Sequence, residues 1–62
     1  MWIFTKILYE RQIEMNISFV VEAVNATTNE TTTFFLTYKQ NPTQELLMQE
    51  IQNYIDSFLN SN

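Results

Sequence analysis

From Ile13 to Ala23 the chain alternates. Ile13, Met15, Ile17, Phe19, Val21 and Ala23 are apolar, while Glu14, Asn16, Ser18 and Glu22 between them are polar. An extended strand sends successive side chains to opposite faces, so this period of two predicts a strand over 13–25 with one buried face. Residues 31–40 carry Thr, Phe, Leu and Tyr, which suit a pleated and half-buried surface, and predict a second strand. The polar run 26–31 lies between them, and Asn29 can take the left-handed backbone that a tight hairpin requires.

A turn at Thr28 and Asn29, or a four-residue loop over 27–30, gives one register. Ala23 then faces Phe34, Val21 faces Leu36 and Phe19 faces Tyr38, all on the same side. A slip of one residue would turn this whole apolar set towards water. The other side pairs Glu22 with Phe35, Val20 with Thr37 and Ser18 with Lys39. Val20, Val24 and Phe35 are thus hydrophobes on an otherwise polar face.

Residues 2–9 read differently. Trp2, Phe4 and Leu8 occupy even positions and Ile3, Ile7 and Tyr9 odd ones, as in a strand covered on both faces. A short helix has the same spacing, but the aromatic and β-branched content favours a strand. Glu10, Arg11 and Gln12 include none of the usual turn residues, so a tight hairpin is not expected there. Two arrangements follow. Either 2–9 is a third strand beside the hairpin, or it continues into 13–25 as one long strand, bent or bulged near 10–12.

After Lys39 and Gln40 the signals change to helical ones. Asn41 suits an N-cap, Pro42 the first helical position, and Gln44 the place of a capping box, with Thr43 as the alternative cap. Over 42–59, Leu47, Met48, Ile51, Tyr54, Ile55, Phe58 and Leu59 fall within an arc of roughly 140° at 100° per residue, and Leu46 lies outside it. Such a helix is about 27 Å long, close to the ~33 Å of a ten-residue strand. One element can therefore cover the other. The expected fold is α+β. An antiparallel hairpin or three-stranded sheet, β-β-β-α or long-β-β-α, carries one C-terminal amphipathic helix on one face.

Composition narrows what such a fold can do. The chain has 62 residues and neither cysteine nor histidine, so it is one domain without disulfides or the usual zinc ligands. A domain of this size buries only about 60 % of its unfolded surface. A partner is the stabilising device left over. No glycine is present, which removes the loops that bring backbone close to a phosphate, and no cofactor is expected. The net charge is −4, with Lys6, Arg11 and Lys39 scattered, so no basic patch is available for nucleic acid. Glu10, Glu14 and Glu22 are read on one strand face, but Gln12, Asn16 and Ser18 interrupt them, and a DNA mimic is set aside.

No apolar run approaches the ~20 residues that cross a bilayer. The opening residues lack a signal-peptide pattern, because Lys6 interrupts them and no small-residue cleavage site follows. The expected location is cytoplasmic or virion. The Asn16, Asn25 and Asn29 sequons are read as chance in a chain rich in Asn and Thr.

Catalysis has little to work with. Serine has no histidine base, the carboxylates lie on predicted solvent faces, and the loop at 27–30 offers a single carboxylate to a calcium ion. The chain is therefore read as a non-enzyme without metal.

What remains is protein association. Trp2, Ile3, Phe4, Ile7 and Leu8 have no assigned place in the core, and with Val20, Val24 and Phe35 they form the candidate interaction residues. The first functional expectation is a small phage-type structural or assembly subunit that homo-oligomerises through its N-terminal strand. The alternative is a small acidic inhibitor or adaptor that binds and blocks a host protein.

Overall fold

The first reversal of the chain falls at Glu14 and Met15, inside the stretch whose alternation predicts a single strand. Glu14 takes a positive φ of 56°, and Ile13 pairs directly with Asn16 across the two-residue turn. In this computed structural model, which describes residues 1–61, the chain forms β1 (Trp2–Ile13), β2 (Asn16–Asn25), β3 (Thr31–Tyr38) and α1 (Gln44–Tyr54), followed by a π-helical turn over Ile55–Leu59. The strands make one antiparallel sheet in the order β1-β2-β3. This is the β-β-β-α form of the expected α+β fold.

Residues 2–9 are therefore part of a twelve-residue strand, and the predicted strand over 13–25 starts later, at Asn16. The chain passes straight through 10–12, as the missing turn residues require. Its irregularities lie earlier. The register shifts between Phe4 and Lys6 and again between Ile7 and Tyr9, which leaves Thr5 and Leu8 as extra residues. Each bulge reverses the alternation. Trp2 and Phe4 share a face with Asn25 and Ala23, and after the first bulge Ile7, now at an odd position, joins them opposite Val21. The apolar residues at both parities in 2–9 thus record a change of phase, not a strand buried on two sides.

The second hairpin is displaced by two residues from the expected register. Phe19 faces Leu36, Val21 faces Phe34 and Ala23 faces Thr32, while Glu22 faces Thr33, Val20 faces Phe35 and Ser18 faces Thr37. Asn25 sets this displacement. Its side-chain carbonyl accepts from the N–H of Thr27 at 2.9 Å and of Thr28 at 3.3 Å, and its own N–H donates to Glu30 O at 2.7 Å. The loop is consequently 26–29, one residue earlier than expected, with Asn29 left-handed at φ 65°. A shift of two preserves the faces, so the apolar residues still point inward.

The strand ends at Tyr38 and the helix begins at Gln44, later than Pro42. Thr43 is the cap, its Oγ1 accepting from the N–H of Leu46 at 3.1 Å, and Asn41 does not serve. Leu47, Ile51 and Ile55 lie one turn apart and are buried against Phe19, Val21, Ala23 and Phe34. Burying an aliphatic side chain contributes about 1.5–3 kcal/mol, so these three side chains hold the helix to the sheet. The helical arc then breaks. Asn60 N–H donates to Ile55 O at 2.9 Å, spanning five residues, and the wider turn leaves Phe58 exposed and Leu59 half-buried. Met48, also expected on the packed face, is exposed as well.

Candidate interaction surface

The two edges of the sheet are built differently. Along β1 the two bulges distort the ladder, Lys6 and Arg11 add charge, and the side chain of Asn60 covers the first residues. Trp2 N–H donates to Asn60 Oδ1 at 2.6 Å, and Asn60 Nδ2 donates to Trp2 O at 3.0 Å. Bulges, charges and covering groups are how proteins protect a strand edge from pairing.

β3 has none of these. Its eight residues, Thr31, Thr32, Thr33, Phe34, Phe35, Leu36, Thr37 and Tyr38, contain no Asp, Glu, Lys, Arg or Pro, and its register with β2 is unbroken. Because Asn25 N–H points across to Glu30 O, alternation makes 23 with 32, 21 with 34 and 19 with 36 the hydrogen-bonded pairs. The N–H and C=O groups of Thr31, Thr33, Phe35 and Thr37 then point away from β2. Among the described residues they face no further strand.

Both faces next to this edge carry aromatic rings. On the side away from the helix, Tyr9, Val20 and Phe35 form one cross-strand row, with Phe35 69 % exposed. On the helix side, Phe34 stacks on Tyr54 with ring centroids 4.1 Å apart, and Tyr54 in turn meets Phe58 at 4.9 Å. Phe58 is 70 % exposed. A cleft bounded by Leu36, Thr37 and Tyr38 and by Glu50, Tyr54 and Phe58 runs between β3 and the helix. At its far end Tyr38 OH donates to Glu50 Oε1 at 2.6 Å. Burial, the hydrogen bond to Glu50 and the charge of that carboxylate push the Tyr38 phenol up to about 12.

The candidate residues from the sequence divide. Trp2 and Phe4 pack against the chain's own core, so the idea that they lack a place is corrected. The bulge at Thr5 undoes the phase change at Leu8, so both keep the inner face. Ile3, Ile7 and Leu8 remain exposed. Val20, opposite Phe35, and Val24, opposite Thr31, are half-buried on the open face. An ideal helical wheel puts Phe58 on the packed stripe because it has no means of showing a π-turn. Tyr9 belongs to the N-terminal strand in the sequence, and its alignment with Val20 and Phe35 follows from the turn at Glu14 and Met15, from which the register runs unbroken to Tyr9. The three glutamates do not share a face, since Glu10 stands opposite Phe19, Glu22 opposite Lys6, and Glu14 is in the turn.

Among the described residues no group of three or more Asp, Glu, Cys or His could hold a metal, and no polar or charged side chain is buried. No helix among the described residues is long and apolar enough to cross a membrane. The fold and this surface define a small α+β domain with one protected and one open sheet edge. No protein-family model matches the chain, and neither a curated protein nor a solved structure is significantly similar to it.

Proposed function

We propose that this chain is a non-catalytic protein-interaction or assembly subunit that docks through β3. The observation that carries the reading is the coincidence of an unprotected eight-residue edge with the exposed rings of Phe35 and Phe58 on its two faces. Free main-chain groups supply affinity in strand addition, and flanking side chains supply specificity. The N-terminal strand is a weaker site, because Trp2 and Phe4 are already engaged and Asn60 occupies the outer side of Trp2.

A photocrosslinking side chain placed at Phe35 or at Phe58, with Gln49 on the exposed helix face as control, tests this in the native cell. The expected result is one adduct of defined mass from both positions, competed away by excess unlabelled protein. An adduct with a foreign protein would mark an inhibitor or adaptor, and an adduct with the chain itself an assembly subunit. Labelling no greater than at Gln49 would overturn the reading.

A further inference from the structure

We propose that β3 pairs antiparallel with β3 of a second copy, joining two three-stranded sheets into one of six strands. This rests on the docking role of β3 and names its occupant.

Three observations favour a second copy. First, β3 is uncharged from Thr31 to Thr37 while the chain carries −4 overall. Two copies meeting at any acidic surface repel, and here they bring no carboxylate against another. Second, the outward-pointing residues are spaced to match themselves. With Phe34 on the two-fold axis, Thr31 stands opposite the second copy's Thr37, and Thr33 opposite the second copy's Phe35. All four outward N–H and C=O pairs are then used. Third, the assembly closes. The remaining edge in each copy is β1, which its bulges and Asn60 protect, so pairing stops at two copies instead of continuing into a fibre.

The aromatic rings fit the same axis. A two-fold perpendicular to an antiparallel sheet keeps like faces together, so both helices lie on one side. The stack Phe34, Tyr54 and Phe58 of each copy then runs beside the axis, and Phe35 of each copy extends the row on the other face. The two most exposed aromatic side chains become covered at once. A standard interface takes about 800 Å² from each partner, and smaller ones belong to weak complexes. One strand edge and two rings make a modest patch, so a dimer dissociating in the micromolar range is expected.

Sedimentation equilibrium and amide hydrogen exchange of the intact chain test this together. Wild type is expected to dimerise, with the amides of Thr31, Thr33, Phe35 and Thr37 slowing at least about tenfold as the dimer fills, since a tenfold protection corresponds to a 1.4 kcal/mol change. Thr33→Pro removes an outward N–H and leaves the bonds to β2 in place. It is expected to raise the dimer Kd more than about tenfold, while Thr33→Val leaves the Kd unchanged. Should T33P fail to fold, the concentration dependence of those four amides in wild type decides alone. A monomer throughout the micromolar range overturns self-pairing, and a crosslink from Phe35 or Phe58 to a foreign protein would then leave the docking role standing. A dimer whose four amides stay unprotected also overturns it, because the copies would be meeting by another surface.

Discussion

The side-chain amide of Asn60 grips the backbone of Trp2 at both ends, accepting from its N–H at 2.6 Å and donating to its C=O at 3.0 Å. It imitates one residue of a neighbouring strand. Both bonds are partly buried, and an ordinary intramolecular hydrogen bond contributes about 0.5–1.5 kcal/mol. Asn60→Ala should therefore lower stability by about 1–2 kcal/mol, read as a fall in the urea midpoint at unchanged slope. Asn60→Asp keeps the acceptor but sets a carboxylate against the Trp2 carbonyl, and should cost at least as much. A midpoint equal to wild type in both variants would show that the grip contributes nothing.

Tyr38 gives the protein an alkaline limit. Its phenol ordinarily titrates at 10.0, and in the folded chain it is pushed up to about 12 by burial, by donation to Glu50 and by the charge of that carboxylate. The native state binds this proton more tightly than the unfolded state does. The contribution is complete below pH 10 and is lost as pH rises towards 12. Tyr38→Phe should cost about 0.5–1.5 kcal/mol at neutral pH and flatten the fall in stability above pH 10. Parallel curves for wild type and variant across that window would refute the assignment.

Glu14 sits at φ 56° without glycine's freedom. A side chain beyond Cβ disfavours the left-handed region by about 1–2 kcal/mol. Part of this returns as glycine's greater freedom in the unfolded chain. Glu14→Gly should stabilise the fold by about 0.5–1 kcal/mol, and Glu14→Asn should move the midpoint in the same direction. A loss of stability in both would show that the turn is held in some other geometry.

Two neighbouring residues compete for the start of the helix, and the bond from Leu46 N–H selects Thr43. Thr43→Ala should cost about 1 kcal/mol, and Asn41→Ala should fall within ±0.5 kcal/mol, as surface changes usually do. The reverse order in thermal or urea melts would restore Asn41 as the cap.

Much of this architecture is legible in the amino-acid order because burial imposes it. Phe19, Val21 and Ala23 on one strand and Leu47, Ile51 and Ile55 on the helix recur at the spacings that point them inward, and they form the core. What is not legible arises where local geometry departs from ideal periods. Glu14 turns the chain with no residue type to announce it, so the alternation from Ile13 to Ala23 reads as unbroken although Met15 is 81 % exposed in the turn. Two bulges and one π-turn each change phase by a residue. The two bulges cancel, so Trp2 and Phe4 keep the inner-face parity of Gln12 while Ile7 replaces Lys6 and Leu8 there, and the π-turn takes Phe58 out of the packed stripe. The open edge of β3 was hidden for a different reason. Its lack of charge reads equally well as a central strand, and only the order β1-β2-β3 puts it on the outside.

The clasp between Asn60 and Trp2 joins positions 58 residues apart. During synthesis the first hairpin can form early, yet its outer strand stays unclasped until Asn60 has left the ribosome. Until then both borders of the sheet are bare, and the turn that carries Asn60 is the latch that shuts the β1 border last.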